Sequence, residues 1–176
     1  MKKLKLEELG RISTEAYKAS DKLPIVVVLD NIRSALNVGS VFRTTDAFQL
    51  EKIVLCGISA TPPSREITKT AIGATESVDW TYVQSIVEAV TVLKNQGYLL
   101  VAVEQTNQSE LLQDFNPQSQ KIALIFGNEV DGISDDILPL LDASIEIAQY
   151  GTKHSLNVSV CAGIVLWKLS ETYRKQ

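Results

Sequence analysis

The chain has two cysteines, one histidine and no basic excess, and each scarcity removes a class of function. Cys56 and Cys161 lie in apolar surroundings with no Cys-x-x-Cys pair and no histidine partner, so the thiols read as reduced and packed rather than as a disulfide framework or a zinc site. No run approaches the ~20 apolar residues that a membrane helix needs. The start, Met1 to Glu8, is basic but meets acids before any apolar stretch long enough for a secretory signal. The expected location is the cytoplasm, with no membrane contact. The lysine of a P-loop and the spacing of a dinucleotide fingerprint are missing, which lowers the readings as an NTP- or NAD-binding enzyme. Repeats and low-complexity segments are absent too.

A net charge of −4 and a pI near 5.1 argue mildly against nucleic acid. Global charge can hide a patch, however, and basic residues gather at Lys2, Lys3, Lys5 and Arg11, at Arg33, Arg43, Arg65 and Lys69, and at Lys153 with His154. A protein with few phosphate contacts needs only such a patch.

With 176 residues, 45% of them apolar, the chain can fill one core. Leu6, Leu9, Ile12, Ala16 and Ala19 recur at helical spacing, so the spacing predicts an amphipathic helix over 4–20, within an N-terminal segment 1–24 that precedes the main body of a single domain, 25–176. Ile25 to Leu29 is a continuous β-branched run, the mark of a strand buried on both faces. Similar runs follow at Ile53 to Cys56, Tyr98 to Val103, Ile122 to Phe126 and Ser144 to Ile147. Helical patterns lie between them at Val38 to Phe48, Ser85 to Asn95, Ser134 to Leu141 and Leu156 to Tyr173. This alternation predicts an α/β fold, a mostly parallel sheet with helices on both faces. Ser59 to Arg65, with its Pro62-Pro63 pair, reads as a flexible loop. Trp80, Phe126 and Trp167 read as core.

In an open parallel sheet, ligands bind at the carboxyl ends of strands. Three loops meet that condition: Glu104 to Gln108, Gly127 to Gly132, and Ala148 to Lys153. Three polar motifs accompany them. Asn37-Val38-Gly39-Ser40-Val41-Phe42-Arg43-Thr44 places Asn37 as a helix N-cap with Arg43 six residues on. Phe126-Gly127-Asn128-Glu129-Val130-Asp131-Gly132 follows a strand directly, with glycines that permit close backbone approach to a ligand. Lys153-His154-Ser155-Leu156-Asn157-Val158-Ser159-Val160 opens the last helix, with Ser155 as its expected cap and Asn157 presenting an amide that both donates and accepts. Any one of these is an ordinary capping or turn motif.

Taken together, in this order and spacing, they resemble the motifs of the TrmH (SpoU) branch of the SPOUT RNA methyltransferases, over about residues 25 to 170. The resemblance implies an α/β knot, in which the C-terminal segment threads an earlier loop as a trefoil, and a homodimer that transfers a methyl group from S-adenosylmethionine to a ribose 2′-hydroxyl of RNA without a metal. By position it assigns Asn37, Arg43, Glu129, Ser155 and Asn157 to the catalytic set, and Gly127, Ile147 and Leu156 to the cofactor, to which Glu104 and Gln149 are added from the strand-end loops. Arg33, Arg43, Arg65, Lys153 and His154 would face RNA. The lone histidine is read as RNA-facing rather than as a base. Two departures stand out: Ser34-Ala35-Leu36 where the family often has Asp-Pro-Gly, and Ala148-Gln149 in place of Pro-Met.

The family's proposal makes the arginine, here Arg43, the base for the 2′-hydroxyl proton. A guanidinium with a pKa above ~12 is better suited to gripping a neighbouring phosphate while Ser155 and Asn157 relay the hydrogen bond. The apolar last helix carries more apolar surface than one sheet face should cover, which independently favours a dimer. The chain has no extra N-terminal RNA-binding domain of the kind some rRNA-modifying relatives carry and ends soon after the last motif, which favours tRNA over rRNA. Two other readings are a non-catalytic RNA-binding member of the fold and a small-molecule α/β enzyme, the acidic pI being the argument for the latter.

Overall fold

A computed structural model describes residues 1–118 and 120–175. Ser119, Gln176 (the end of the expected domain) and the side chain of Leu6 lie outside what is described. The chain runs α1 (Thr14–Ala19), β1 (Leu23–Asp30), α2 (Ala35–Ala47), β2 (Leu50–Cys56), α3 (Arg65–Ala71), α4 (Ala74–Ser77), β3 (Asp79–Val83), α5 (Ile86–Asn95), β4 (Leu99–Val103), β5 (Glu110–Leu111), β6 (Ile122–Phe126), β7 (Ala143–Glu146) and α6 (Val158–Arg174). The seven strands form one sheet in the order β3-β2-β1-β6-β4-β7-β5, and every recorded pairing is parallel.

The apolar runs explain the centre of that order. Residues 25–29 and 122–126 are buried throughout because both faces of β1 and β6 are covered. Alternate side chains face opposite ways. Ile25, Val27 and Leu29 pack with Phe42 of α2 and Leu166 of α6, whereas Val26 and Val28 pack with Val90 of α5 and Ile137 of the short 3-10 helix Asp135–Leu140. Each fully buried Ile or Leu of this kind contributes roughly 1.5–3 kcal/mol.

Several local expectations are corrected. In place of one helix over 4–20 there is a 3-10 turn, Leu6–Leu9, then α1. Gly10 turns left-handed between them (φ 61°), and Ser13 caps α1 by accepting from the Ala16 amide at 3.2 Å, so the helical spacing is cut in two. The segment expected as a helix over Ser134 to Leu141 is 3-10 and contains Pro139, which has no amide to donate. The Ser59 to Arg65 segment starts from an anchored point: Ser59 is buried, accepts from the Ile32 amide (2.8 Å) and donates to the Leu29 carbonyl (3.0 Å). Trp80 is half-buried, edge-on to Phe42, and Phe126 is buried, but Trp167 is 55% exposed. No helix among the described residues is long and apolar enough to cross a membrane.

Candidate functional site

Three adjacent strands, β6, β4 and β7, end level with one another. Val103 at the end of β4 pairs with Phe126 of β6 on one side and Ile145 of β7 on the other, so the loops beyond them rise from one line. Between these loops lies a cleft of about 570 Å³. Its walls combine apolar side chains such as Phe126, Ile145 and Leu156 with five acids, Glu104, Glu129, Asp131, Asp135 and Glu146.

The loop after β6 is a tight hairpin. Asn128 and Gly132 exchange backbone hydrogen bonds at 3.0 Å each, and the Asn128 Oδ1 accepts from the Val130 and Asp131 amides at 2.9 Å. Gly127 is required by this fold-back: a Cβ there would fall on the backbone of Gly132 and Ile133. The exit is held from both sides, because Ile133 N–H donates to Glu104 Oε2 (3.3 Å) and Ser134 N–H donates to the buried Asp30 Oδ2 (2.7 Å). Across the cleft the C-terminal segment is tied by Gln105 Nε2, which donates to the His154 carbonyl at 2.8 Å.

A hydrogen-bonded chain of side chains abuts the cleft. Asn157 caps α6, its Oδ1 accepting from the amides of Ser159 (3.0 Å) and Val160 (3.3 Å). Those backbone donors fix the orientation of the amide, so Nδ2 must face outward, where it donates to Asn37 Oδ1 at 3.2 Å. Asn37 is then oriented in turn and donates through Nδ2 to Glu129 Oε1 at 2.7 Å. The caps therefore differ from expectation. Ser34, not Asn37, caps α2, accepting from the Asn37 amide at 3.3 Å, and Asn157 rather than Ser155 caps α6. Because α2 starts one residue after Ser34, Asn37 sits inside its first turn and its side chain is free for this contact.

The residues expected at the cofactor, Gly127, Ile147, Leu156, Glu104 and Gln149, all line the cleft, as do Glu129, Ser155 and His154. Arg43 does not. Six residues along α2 are ~9 Å of rise and ~240° of rotation from Asn37, so its side chain leaves on another line; it is exposed, with no hydrogen bond or ion pair among the described residues. Lys153 and Arg65 are exposed outside the cleft, and Arg33 lines a second hollow behind the 127–132 hairpin. Sequence reasoning missed Asp30 and Gln105, which position the loops; an acid ending a buried apolar strand was the available signal for the first. Cys161 lines the cleft half-buried, its thiol pushed up to about 11 by burial and by nearby Glu104.

Residues 24–167 match the model of the SpoU rRNA methylase family. Among curated proteins the chain is 31% identical over 153 residues to the 23S rRNA (guanosine-2′-O-)-methyltransferase RlmB of Neisseria meningitidis serogroup B, covering 87% of this chain and 59% of that protein. The chain spans about six-tenths of the length of the first curated relatives it matches. Among solved structures it superposes on the TrmH/SpoU tRNA modifying enzyme of A. aeolicus with a TM-score of 0.80 at 26% identity, covering 92% of this chain and 81% of that one. It shares its fold with the SpoU methyltransferase AviRb of Streptomyces viridochromogenes, solved in complex with AdoMet, at a TM-score of 0.80 and 22% identity over 92% of this chain and 65% of that one. With more than three quarters of its residues inside the family model, this chain belongs to the SpoU rRNA methylase family.

Proposed function

We propose that the chain transfers a methyl group from S-adenosylmethionine to a ribose 2′-hydroxyl of RNA. The observation that carries this reading is an acid-lined cleft at the strand ends with the Glu129–Asn37–Asn157 chain on its rim. Five carboxylates suit a ligand bearing positive charge and oppose a phosphate-rich cofactor such as an NTP or NAD. The cleft volume falls within the ~300–1,000 Å³ usual for small-molecule sites. Ile147 and Leu156 supply apolar surface for an adenine, the backbone of 127–132 supplies close approach, and Gln149 and the acids supply polar partners. When bound, S-adenosylmethionine supplies an activated methyl on a sulfonium, so what is left to the protein is alignment and exclusion of water.

The chain's own groups divide that work. Glu129, Asn37 and Asn157 hold the rim with Ser155 beside them, and an incoming hydroxyl donates to the exposed Ser155, which passes the proton to solvent water as the new C–O bond forms and the methyl leaves sulfur. Arg43, exposed and unpaired among the described residues, grips an RNA phosphate and sets the oxygen in line, with Arg65, Lys153 and His154 extending the phosphate contact and Arg33 meeting the RNA elsewhere. The expected knot fits the Gln105 to His154 tie, which holds the C-terminal segment against the loop after β4. Homodimer formation is supported by Val160, Ile164 and Trp167, which make an exposed stripe on one line of α6. A tRNA substrate is favoured, because a solved relative matched over 81% of its length is a tRNA modifying enzyme.

The test is isothermal titration with S-adenosylmethionine followed by transfer of labelled methyl to separated tRNA and rRNA pools. Cofactor binding with alkali-resistant label in tRNA supports the reading. Binding without transfer leaves a non-catalytic RNA-binding protein, and absence of binding overturns the cofactor assignment.

A further inference from the structure

Behind the 127–132 hairpin, and sharing it as a wall with the cofactor cleft, is a second hollow of about 290 Å³. Its frame is made of committed groups. Asn31 holds a left-handed backbone (φ 57°), donates to Asp30 at 2.9 Å and accepts from the Ile58 amide at 3.1 Å, while the Asn128 oxygen is taken by two amides of the hairpin. Asp30, buried to 1% exposure, pins Ser134 on the far side. Inside this frame two charges have no partner among the described residues: the Arg33 guanidinium and the Asp131 carboxylate line the same hollow without bridging it. Beside them Ile58 offers exposed apolar surface.

Opposite charges that face one cavity and do not pair suit a flat ligand with donors on one edge and acceptors on another. Among nucleobases only guanine has both a two-donor edge, N1–H with N2–H, and a two-acceptor edge, O6 with N7. A carboxylate matches the first and a guanidinium the second. We propose that this hollow receives an unpaired guanine of the RNA, with Asp131 accepting from its Watson–Crick edge, Arg33 donating to its O6 and N7, and Ile58 against its face. This rests on the reading that the chain acts on RNA. It adds a base-reading subsite next to the cofactor cleft, with Asp131 and the rest of the hairpin lining both and so placing that base beside the catalytic rim.

The tRNA transcript that the wild type methylates best is remade as a panel with one guanine at a time replaced by inosine, which lacks the N2 amine, or by 7-deazaguanine, which lacks N7. Affinity is read by fluorescence anisotropy without cofactor. At one unpaired position inosine should weaken binding by about tenfold, and so should 7-deazaguanine. The inosine penalty should vanish in Asp131→Asn and the 7-deazaguanine penalty in Arg33→Met; both residues are exposed, so the variants fold. If no single position responds, or if the penalties persist unchanged in both variants, the subsite is wrong while the methyltransferase reading stands. If the wild type methylates no RNA and binds none, the parent reading fails and takes the subsite with it.

Discussion

Asn37 donates a 2.7 Å hydrogen bond to Glu129 and accepts a 3.2 Å one from Asn157, so one amide joins the loop after β6 to the N-terminus of α6. Its two roles need a side chain that donates and accepts at once. Asn37→Asp would set a carboxylate against Glu129, and Asn37→Ala would release both neighbours. Methyl transfer should fall on the order of 100-fold in either variant, while S-adenosylmethionine affinity by titration stays within a few-fold, because Asn37 is on the rim and not in the cleft. A double-mutant cycle with Glu129→Gln should be strongly non-additive; simple additivity would show that the chain does not act as a unit.

Gly127 governs the cleft indirectly. The cost of a side chain there is a collision with the hairpin's own backbone, so Gly127→Ala distorts the wall before it touches a ligand. We expect a loss of about 1–3 kcal/mol in stability, read as a fall in melting temperature of roughly 3 °C per kcal/mol, together with weaker cofactor binding. Unchanged melting and unchanged affinity would show that the hairpin is not packed as described. By contrast Arg43→Ala should leave cofactor affinity within a few-fold.

How much of this was legible beforehand depended on whether each signal was local. The apolar runs at Ile25 to Leu29 and Ile122 to Phe126 declared the central strands, because burial on both faces leaves an unbroken signature. β3, with exposed Asp79, Thr81 and Tyr82, and the two-residue β5 have no such run and went unseen. Gly127, Ile147 and Leu156 follow from motif order, and Glu104 and Gln149 from their places in strand-end loops; all five line one cleft. The caps were misassigned because Ser34 competes with Asn37, and Asn157 with Ser155, and spacing cannot choose between two good capping residues. Trp167 failed for a related reason: α6 is apolar around most of its circumference, so composition could not tell its buried face from its exposed one.

That exposed face is the next test. Val160, Ile164 and Trp167 present apolar surface on one line of α6, and a dimer would cover it. Light scattering at micromolar concentration should give twice the 19.3 kDa chain mass, and Trp167→Glu should shift it toward the monomer. A wild type at the monomer mass would refute the dimer.

Alkaline stability should report the buried thiols. Burial, with Asp30 adding to it, pushes Cys56 up to about 12, and Cys161 is raised as well. Both folded values lie above the unfolded one near 9, so between those values the unfolded chain gives up protons that the folded chain keeps. Stability is then full below pH ~9 and falls as pH rises, by up to about 1.4 kcal/mol per pH unit for each thiol. Urea midpoints between pH 8 and 10 should decline less steeply in Cys56→Ala than in the wild type, whatever its lower starting point. Parallel slopes would show that Cys56 does not titrate with unfolding.

Arg43 offers the sharpest division between mechanisms, since it lies on α2 away from the cleft lining and has no partner among the described residues. If it positions an RNA phosphate, Arg43→Lys keeps the charge and loses the planar fork, so the rate should drop partially and remain measurable, while Arg43→Ala drops much further. If it is the base for the 2′-hydroxyl proton, lysine deprotonates far more readily than a guanidinium, so the lysine variant should match or exceed the wild type and its rate should rise steeply toward the lysine pKa. Single-turnover methylation from pH 6.5 to 9.5 on all three proteins separates these outcomes. The exposure of Arg43 and its separation from the Glu129–Asn37–Asn157 chain favour the first. A lysine variant as fast as wild type with a new steep pH dependence would overturn the positioning role and make Arg43 the base.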